Sequence, residues 1–280
     1  MVLLTLAGWI VPADARELVT FARSSNDARN PRHAYSLGLL KLALEKAQVE
    51  ADFVQADMVL EQSRAVEELA MGRGLRVIWV GTSPERERQL RPIRIPLDRG
   101  LLGLRLMMVR PDSLRQIAEL PSAHFLRSFV MGQGVGWPDV QILESAGFKV
   151  VETSYDQLFP MLERGRVGAL PRAAFEIRSE IDAQQRLGRQ FAIDPRFAIS
   201  YRFCSFFFTN RADEALASAI ERGLEAAYDD GSFMAYFETH PYTGGIVQAL
   251  QLEKREILAI DNPLLTPETR ALPPRYWLFP

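Results

Sequence analysis

Short apolar runs alternate with amphipathic stretches after residue 16, and this alternation limits the possible folds more than any other feature of the sequence. The predicted strands are 18–22, 49–54, 76–80, 104–109, 129–131 and 203–209. The predicted helices are 35–47, 62–71, 138–145, a helix that follows a capping box at Ser154 and ends at Gly165, and 210–228 with Asn210 as its cap. Strands that alternate with helices predict an α/β protein.

Two apolar stretches divide this pattern. Residues 101–111 lead into a new series of strands and helices, and residues 197–210 lead back out of it. If the two stretches pair, one lobe is inserted into the other, with a cleft between them and two strands as a hinge. The expected boundaries are 16–110 with 198–280 for the first lobe and 111–197 for the second. A single continuous doubly wound sheet is the alternative.

Charge and residue counts exclude several classes of function. The 280 residues include 33 Lys and Arg and 35 Asp and Glu, which gives a net charge of −2 and no basic excess for binding nucleic acid. A single cysteine, Cys204, excludes an intrachain disulfide and a multi-cysteine metal site. His33, His124 and His240 are far apart in the sequence, so the chain predicts no metal site and no cofactor.

The first fifteen residues resemble a secretory signal peptide. An apolar run over 3–11 is followed by Pro12 and by the small-x-small sequence 13–15. The run is shorter than the roughly 20 residues that span a bilayer, and no Lys or Arg precedes it. We expect cleavage before Arg16 and a periplasmic protein; a first core strand is the alternative.

A candidate anion site follows the strand 76–80. Gly81, Thr82 and Ser83 come directly after this strand, and Arg86 lies three residues further on. Hydroxyl groups and backbone N–H groups at a helix start can bind an anion, and an arginine can bind a carboxylate with two hydrogen bonds. The alternative is that Thr82 or Ser83 only caps a helix whose charged face is solvated.

Four segments in sequence order resemble the family 3 bacterial solute-binding proteins, which bind amino acids. They are GTSPERERQL followed by Pro96-Leu97, FVMGQG at 129–134, FPMLERGRV at 159–167 and DDGSF at 229–233. The resemblance covers roughly residues 17–240. It implies a two-lobed type II periplasmic binding protein fold and a monomer without enzymatic activity or cofactor. It also implies that Arg86 binds a ligand carboxylate. The expected partner is an ABC permease that imports the solute or a membrane receptor that senses it.

The chain departs from this family at residues 168–172. The family places an Asp for the ligand ammonium near this position, whereas this chain has Arg172. Two arginines without a counter-charge in a desolvated cleft favour an acidic, carboxylate-bearing solute over a zwitterion. The alternative is that Arg172 turns outward and pairs with Glu176, one helical turn further on.

The segment GQGVGW at 132–137 follows a predicted strand. It lacks the last glycine of a dinucleotide fingerprint, because Trp137 occupies that position. We expect Gln133 and Gly134 to bring backbone N–H groups to a ligand at the start of helix 138–145, and Trp137 to form a wall on the solute or a lid on the core. Asp139 is expected to complement the dipole of that helix.

Two other functional classes use the same fold. A dehydratase or lyase would place a carboxylate in the cleft, and the candidates are Asp27, Glu85 and Glu176, although no catalytic constellation surrounds any of them. A ligand-sensing module without transport is the other alternative. The proline-rich tail after Asn262 is expected to pack back onto the first lobe.

Overall fold

A computed structural model describes residues 16–23 and 31–278. Two features of the sequence analysis lie outside these residues, namely the signal segment 1–15 and the candidate carboxylate Asp27. The described part of the chain forms three sheets flanked by helices.

The first sheet has the strand order β2-β1-β3-β10-β4. Its strands are β1 (Glu17–Arg23), β2 (Ala51–Val59), β3 (Val77–Gly81), β4 (Arg91–Ile93) and β10 (Ser205–Thr209). Strand β1 runs parallel to β2 and β3, and β10 runs antiparallel to β3 and β4.

The other two sheets are linked to each other. The second has the order β11-β9-β5-β8, with β5 (Leu104–Val109), β8 (Leu170–Ala173), β9 (Ala192–Ser200) and β11 (Glu256–Ala259). The third pairs β6 (Val130–Gly134) with β7 (Lys149–Thr153) in parallel. A bridge between Met131 and Ala169 connects β6 to the residue that precedes β8.

Helices cover the faces of the sheets. They are α1 (Pro31–Lys46), α2 (Gln62–Ala70), α3 (Pro84–Gln89), α4 (Ser113–Ala118), α5 (Pro138–Ser145), α6 (Tyr155–Glu163), α7 (Ile177–Arg186), α8 (Glu214–Asp229), α9 (Ser232–Thr239), α10 (Ile246–Ala249) and α11 (Pro267–Arg270). None of the described helices has the length and apolar character needed to cross a lipid bilayer.

The two apolar stretches that were expected to pair do so only in part. Strand β5 runs antiparallel to β9, with Leu104 opposite Ser200 and Leu106 opposite Ala198, whereas β10 pairs with β3 and β4 in the first sheet. Every residue of β5 and of β10 is buried, which explains why neither strand alternates between apolar and polar residues. The segment 110–191 leaves from and returns to the neighbouring strands β5 and β9, an arrangement that would suit a hinge between two lobes.

One predicted helix cap is wrong, and a second is in place without its side-chain hydrogen bond. Asp213, not Asn210, caps α8, because its side chain accepts a hydrogen bond from the backbone N–H of Leu216. The Asn210 side chain instead donates to the carbonyl oxygen of Leu69 at the end of α2. Ser154 does precede α6, but its side chain makes no capping hydrogen bond.

The proline-rich tail packs back onto α3. The hydroxyl groups of Thr266 and Thr269 donate to the carboxylate of Glu87, at 3.0 and 2.9 Å. Glu87 is buried and also accepts a hydrogen bond from Arg94 at 3.0 Å. The tail thereby holds the short helix that carries Arg86.

Candidate functional site

The main cavity lies at the carboxyl ends of parallel strands from two sheets, the usual position of a ligand site in α/β proteins. From the first sheet it takes Ala22 near the end of β1, Leu60 after β2 and Trp79 on β3; from the third it takes Trp137 after β6 and Tyr155 after β7. Its volume is about 180 Å³. The other lining residues are Arg32, His33, Glu61, Gln62, Ala65, Ile78, Val80, Arg172, Glu176, Ser179, Glu180 and Tyr242.

A recess of about 30 Å³ continues the cavity toward Arg86. Cavity and recess share Arg32, Gln62, Trp137, Arg172 and Glu176, and the further residues around the recess are Gly81, Arg86, Leu102, Arg105, Pro138, Asp139 and Phe203. About 10–15 Å³ is enough to hold one water molecule, so the recess has room for the oxygen atoms of a carboxylate. A wider groove of about 500 Å³, called the outer groove below, is also lined by Arg86.

Arg86 is a buried guanidinium with neutral partners. Its Nη1 donates to the carbonyl oxygen of Gly81 at 2.6 Å, and its Nη2 donates to Gln62 Oε1 at 3.2 Å and to the carbonyl oxygen of Gly136 at 3.3 Å. Its exposed fraction is 6%. Among the described residues no carboxylate lies within salt-bridge distance of it. Burial lowers the pKa of Arg86 to about 10.

The hydroxyl groups next to Arg86 serve its helix. Ser83 is the N-cap of α3, and its Oγ accepts a hydrogen bond from the backbone N–H of Arg86 at 3.3 Å. Thr82 is buried, and its Oγ1 donates to Glu87 Oε1 at 2.5 Å. Ser83 lines only the outer groove, and Thr82 lines neither the cavity nor the recess. The capping interpretation therefore describes Ser83, whereas Thr82 holds the side chain of Glu87 on the same helix.

Trp137 lines the cavity, the recess and the outer groove. Its indole packs flat on Gly134, where an added Cβ would lie 2.3 Å from the ring. Gly134 is therefore required by the tryptophan rather than by an approaching ligand. The backbone N–H of Trp137 donates to the carbonyl oxygen of Gly134, and that of Gly136 donates to Glu152. These two N–H groups are thus used within the chain.

Gln133 is completely buried behind this segment. Its Nε2 donates to the carbonyl oxygen of Pro171 at 3.4 Å, and its Oε1 has no hydrogen-bond partner among the described residues. Gln133 does not line the cavity or the recess. It links the strands β6 and β8, which carry Trp137 and Arg172 at their ends.

Arg172 lies on β8, lines the cavity and is paired with two carboxylates. Its Nε and Nη2 donate to both oxygens of Glu180, at 2.7 and 2.6 Å, and its Nη2 also donates to Glu176 at 3.1 Å. Burial lowers the pKa of Arg172, but the two carboxylates raise it more, so that it is well above its usual value. The pairing with Glu176 was foreseen as an outward contact; Arg172 is instead 3% exposed and faces the cavity.

Asp139 has a stronger role than complementing a helix dipole. Its carboxylate lies 2.5 Å from Arg105 Nη2 and accepts a hydrogen bond from the hydroxyl of Tyr201. Arg105 Nε also donates to that hydroxyl at 2.9 Å. All three side chains are buried, so this network ties the start of α5 to strand β5 and to the end of β9.

Arg32 and Glu176 form an ion pair at the cavity, with 2.7 Å between Nη1 and Oε1. Burial would raise the pKa of Glu176, but Arg172 and Arg32 lower it more, and the net shift is downward. A carboxylate held ionised in this way is a weak base, which disfavours Glu176 as a catalytic group. Glu85, the other described candidate, is exposed and accepts a hydrogen bond from Gln89.

Several lining residues were not identified from the sequence. His33, Trp79 and Tyr242 come from separate elements, and only the tertiary fold brings them together. Arg105 did carry a local signal, because it is the one charged residue in the otherwise apolar run 104–109. A charged side chain inside such a strand has to be paired, and the structure provides Asp139.

No model of a known protein family matches the chain, and no curated protein matches it. Solved structures do match. A histidine kinase sensor domain with similarity to periplasmic binding proteins is 17% identical, with a TM-score of 0.57, over 81% of this chain and 96% of that one. A periplasmic binding protein from Salmonella typhimurium with high arginine specificity is 13% identical, with a TM-score of 0.56, over 80% and 99%.

An ancestral arginine-binding protein bound to glutamine is 16% identical, with a TM-score of 0.55, over 82% of this chain and all of that one. These similarities establish the fold. The chain has the two-lobed type II fold of periplasmic binding proteins, and the fold class predicted from the sequence is confirmed.

Proposed function

We propose that the protein binds a small carboxylate-bearing solute between two lobes, formed by residues 16–110 with 198–280 and by residues 111–197. The observation that carries this proposal is Arg86, which is buried beside the recess without a carboxylate partner among the described residues. Burying an unpaired charge is unfavourable, and a bound carboxylate removes that cost.

The site residues divide into two groups under this proposal. Arg86 and Gly81 border the carboxylate recess, and Trp137 forms a wall of both the recess and the cavity. Thr82, Ser83, Gln133 and Gly134 hold these residues in place through the contacts described above. Arg172 is not a second anion-binding charge, because Glu176 and Glu180 already neutralise it.

Contacts between the two proposed lobes support closure. Arg32 pairs with Glu176 across the cavity, and Arg86 Nη2 donates to the carbonyl oxygen of Gly136 at 3.3 Å. Each contact joins the segment 16–110 to the segment 111–197. A solute that contacts both sides would stabilise this arrangement by its preference for the closed state.

A thermal-shift screen with carboxylates and their matched primary amides tests the proposal. A carboxylate at about 100 times its Kd would add about 2.7 kcal/mol to the free energy of unfolding. We expect stabilisation by carboxylates and none by the amides, with a smaller radius of gyration in X-ray scattering when the solute is bound. Amides that stabilise the protein as strongly as the acids would contradict the role of Arg86.

The proposal includes export and delivery of the solute. Residues 3–15 resemble a signal peptide, and the resemblance to solute-binding proteins favours a periplasmic monomer that serves an ABC permease or a membrane receptor. Protein recovered from the periplasm of the native cell should begin near Arg16. Retention of the entire chain in the cytoplasm would contradict this part of the proposal.

A further inference from the structure

We infer that the solute is a monocarboxylate that has no ammonium group and has an apolar or aromatic body. This inference rests on the proposed function and specifies its solute class. It follows from three features of the lining. These are the ion pairs of its buried arginines, the hydrogen bonds that its buried carboxylates already accept, and the apolar and aromatic side chains of the remaining surface.

One buried arginine around the cavity and the recess has no carboxylate within salt-bridge distance among the described residues. Arg105 pairs with Asp139, Arg172 pairs with Glu180 and Glu176, and Arg32 pairs with Glu176. Arg86 is the arginine without such a partner in the described part of the chain. A solute carboxylate would supply the counter-charge for Arg86, whereas a second carboxylate on the solute would meet only arginines that already have carboxylate partners.

His33 does not add a positive charge to the lining near neutral pH. It lies in the lining between Phe21 and Trp79, with ring centroids 5.4 and 5.2 Å away. Burial lowers the pKa of His33 from its usual 6.5, so the ring is uncharged at pH 7.

An ammonium group would find no free buried carboxylate in the described lining. Glu180 accepts two hydrogen bonds from Arg172 and a third from the hydroxyl of Tyr155 at 3.0 Å. Glu176 accepts from both Arg172 and Arg32. An ammonium would have to displace a guanidinium or remain unpaired, and both are costly in a desolvated site. Glu61, the fourth carboxylate of the lining, is exposed.

The surface beyond these pairs is mainly apolar and aromatic. Leu60, Ile78, Val80 and Trp79 line one side of the cavity, and Trp137 and Tyr242 also contribute to it. Tyr242 is 5% exposed, and its hydroxyl has no hydrogen-bond partner among the described residues. An apolar body would cover this surface, and one polar atom on that body could bind the Tyr242 hydroxyl.

Matched ligands test the inference on the unaltered protein by isothermal titration calorimetry. The pairs are 3-phenylpropionate with L-phenylalanine and 4-methylpentanoate with L-leucine, which differ only in the ammonium group; phenylsuccinate adds a second carboxylate. We expect each deaminated acid to bind at least about tenfold more tightly than its amino acid, and phenylsuccinate to bind more weakly than 3-phenylpropionate, since tenfold is about 1.4 kcal/mol.

The outcomes separate this inference from the proposed function. Amino acids that bind as tightly as the deaminated acids, or tighter binding of phenylsuccinate, would overturn the inference and leave a carboxylate-binding protein. Failure of carboxylates of every kind to bind, in this panel and in the wider screen, would overturn both.

The variant Arg172→Gln tests the reason for the exclusion. It frees Glu176 and Glu180 from one guanidinium, so we expect the preference for 3-phenylpropionate over L-phenylalanine to fall by about tenfold or more. An unchanged preference in a folded variant would overturn the argument from paired carboxylates.

Glu61→Gln is the matched control at the exposed rim of the cavity. If this variant discriminates more strongly against L-phenylalanine than the unaltered protein does, Glu61 accepts the ammonium group, and the inference is overturned. If Arg172→Gln does not fold, the matched ligands on the unaltered protein decide the question.

Discussion

Two buried arginines at one cavity differ in what neutralises them. Arg86 and Arg172 are 6% and 3% exposed, and both border the recess. Arg172 has the carboxylates of Glu176 and Glu180 as partners, while Arg86 has the oxygen atoms of two carbonyl groups and an amide. Among the described residues, one charge is therefore compensated by carboxylates, and the other has only neutral hydrogen-bond acceptors.

Burial acts in the same direction on both arginines, and their partners decide the result. Burial lowers the pKa of Arg86 to about 10, because neutral acceptors do not offset the lost hydration. For Arg172 the two carboxylates outweigh burial, and the pKa rises well above its usual value. Under the proposed function, Arg172 belongs to the framework of the site and Arg86 binds the solute.

Removing the guanidinium from the paired position should have the largest effect on stability. Arg172→Met leaves Glu176 and Glu180 buried with fewer partners, and breaking a buried ion pair on one side costs about 3–5 kcal/mol. Arg86→Met removes hydrogen bonds to neutral oxygen atoms and also a buried charge without a carboxylate partner among the described residues, so we expect a loss of at most about 1–2 kcal/mol. Urea unfolding of both variants measures the difference.

The triple variant Arg172→Met, Glu176→Gln, Glu180→Gln is the control for this comparison. It removes the uncompensated carboxylates together with the arginine, so it should recover part of the stability lost in Arg172→Met. Equal destabilisation by Arg172→Met and Arg86→Met would contradict the distinction between the two positions.

Asp98 extends the comparison to a buried carboxylate that has no ion-pair partner among the described residues. Its carboxylate accepts hydrogen bonds from the backbone N–H groups of Gly100 and Ser205, at 2.9 and 2.8 Å. Burial raises the pKa of Asp98 to about 6. Because the folded pKa is raised, its contribution to stability is fully present below pH 4 and is lost as the pH rises through 6. The loss is on the order of 2–3 kcal/mol, since one pKa unit is about 1.4 kcal/mol.

Chemical unfolding between pH 4 and 8 measures this effect. Asp98→Asn removes the titrating group, so the variant should lack the decline between pH 4 and 7 that the unaltered protein shows. Identical pH profiles for the two proteins would show that Asp98 does not titrate in this range.

A substitution at Glu87 tests how the tail holds the helix that carries Arg86. Its carboxylate accepts hydrogen bonds from Thr82, Thr266 and Thr269, so Glu87→Gln weakens the attachment of the tail to α3. We expect a loss of about 1–2 kcal/mol in urea unfolding. Glu85→Gln, at an exposed position of the same helix, is the matched control and should lie within about 0.5 kcal/mol of the unaltered protein. Equal effects of the two substitutions would contradict the anchoring role of Glu87.

The last substitution concerns the ion pair across the cavity. Arg32→Gln removes one of the two arginine partners of Glu176, and the Arg32 side chain is 25% exposed. We expect a smaller loss of stability than for Arg172→Met, because Glu176 keeps Arg172 as a partner, and a larger radius of gyration without ligand in X-ray scattering. An unchanged radius would show that this pair does not hold the cavity closed.

The sequence predicted the parts of the site that are local. The cap at Ser83 and the position of Arg86 follow from the strand-turn-helix pattern at 76–89, and the pairing of Arg172 with Glu176 follows from their spacing. The second partner of Arg172 was missed because Glu180 lies eight residues further along, in the first turn of α7. That contact requires the strand β8 and the helix to be in place.

The long-range parts of the site could not be predicted from spacing. The pair of Arg105 and Asp139 spans 34 positions in the numbering, and Arg32 reaches Glu176 across 144. These pairings exist only in the folded protein. An acidic solute was expected because Arg86 and Arg172 together were placed in the cleft without a counter-charge, and two carboxylates in fact pair with Arg172.

Titration of the unaltered protein and of Arg86→Gln with 3-phenylpropionate tests the central claim most directly, with Arg88→Gln on the exposed face of the same helix as the control. A charge-assisted hydrogen bond is worth about 1.5–3 kcal/mol. We therefore expect Arg86→Gln to weaken the binding of 3-phenylpropionate by about tenfold to a hundredfold and Arg88→Gln to leave the affinity unchanged. The same affinity for Arg86→Gln as for the unaltered protein would contradict the claim that this arginine is held for the ligand.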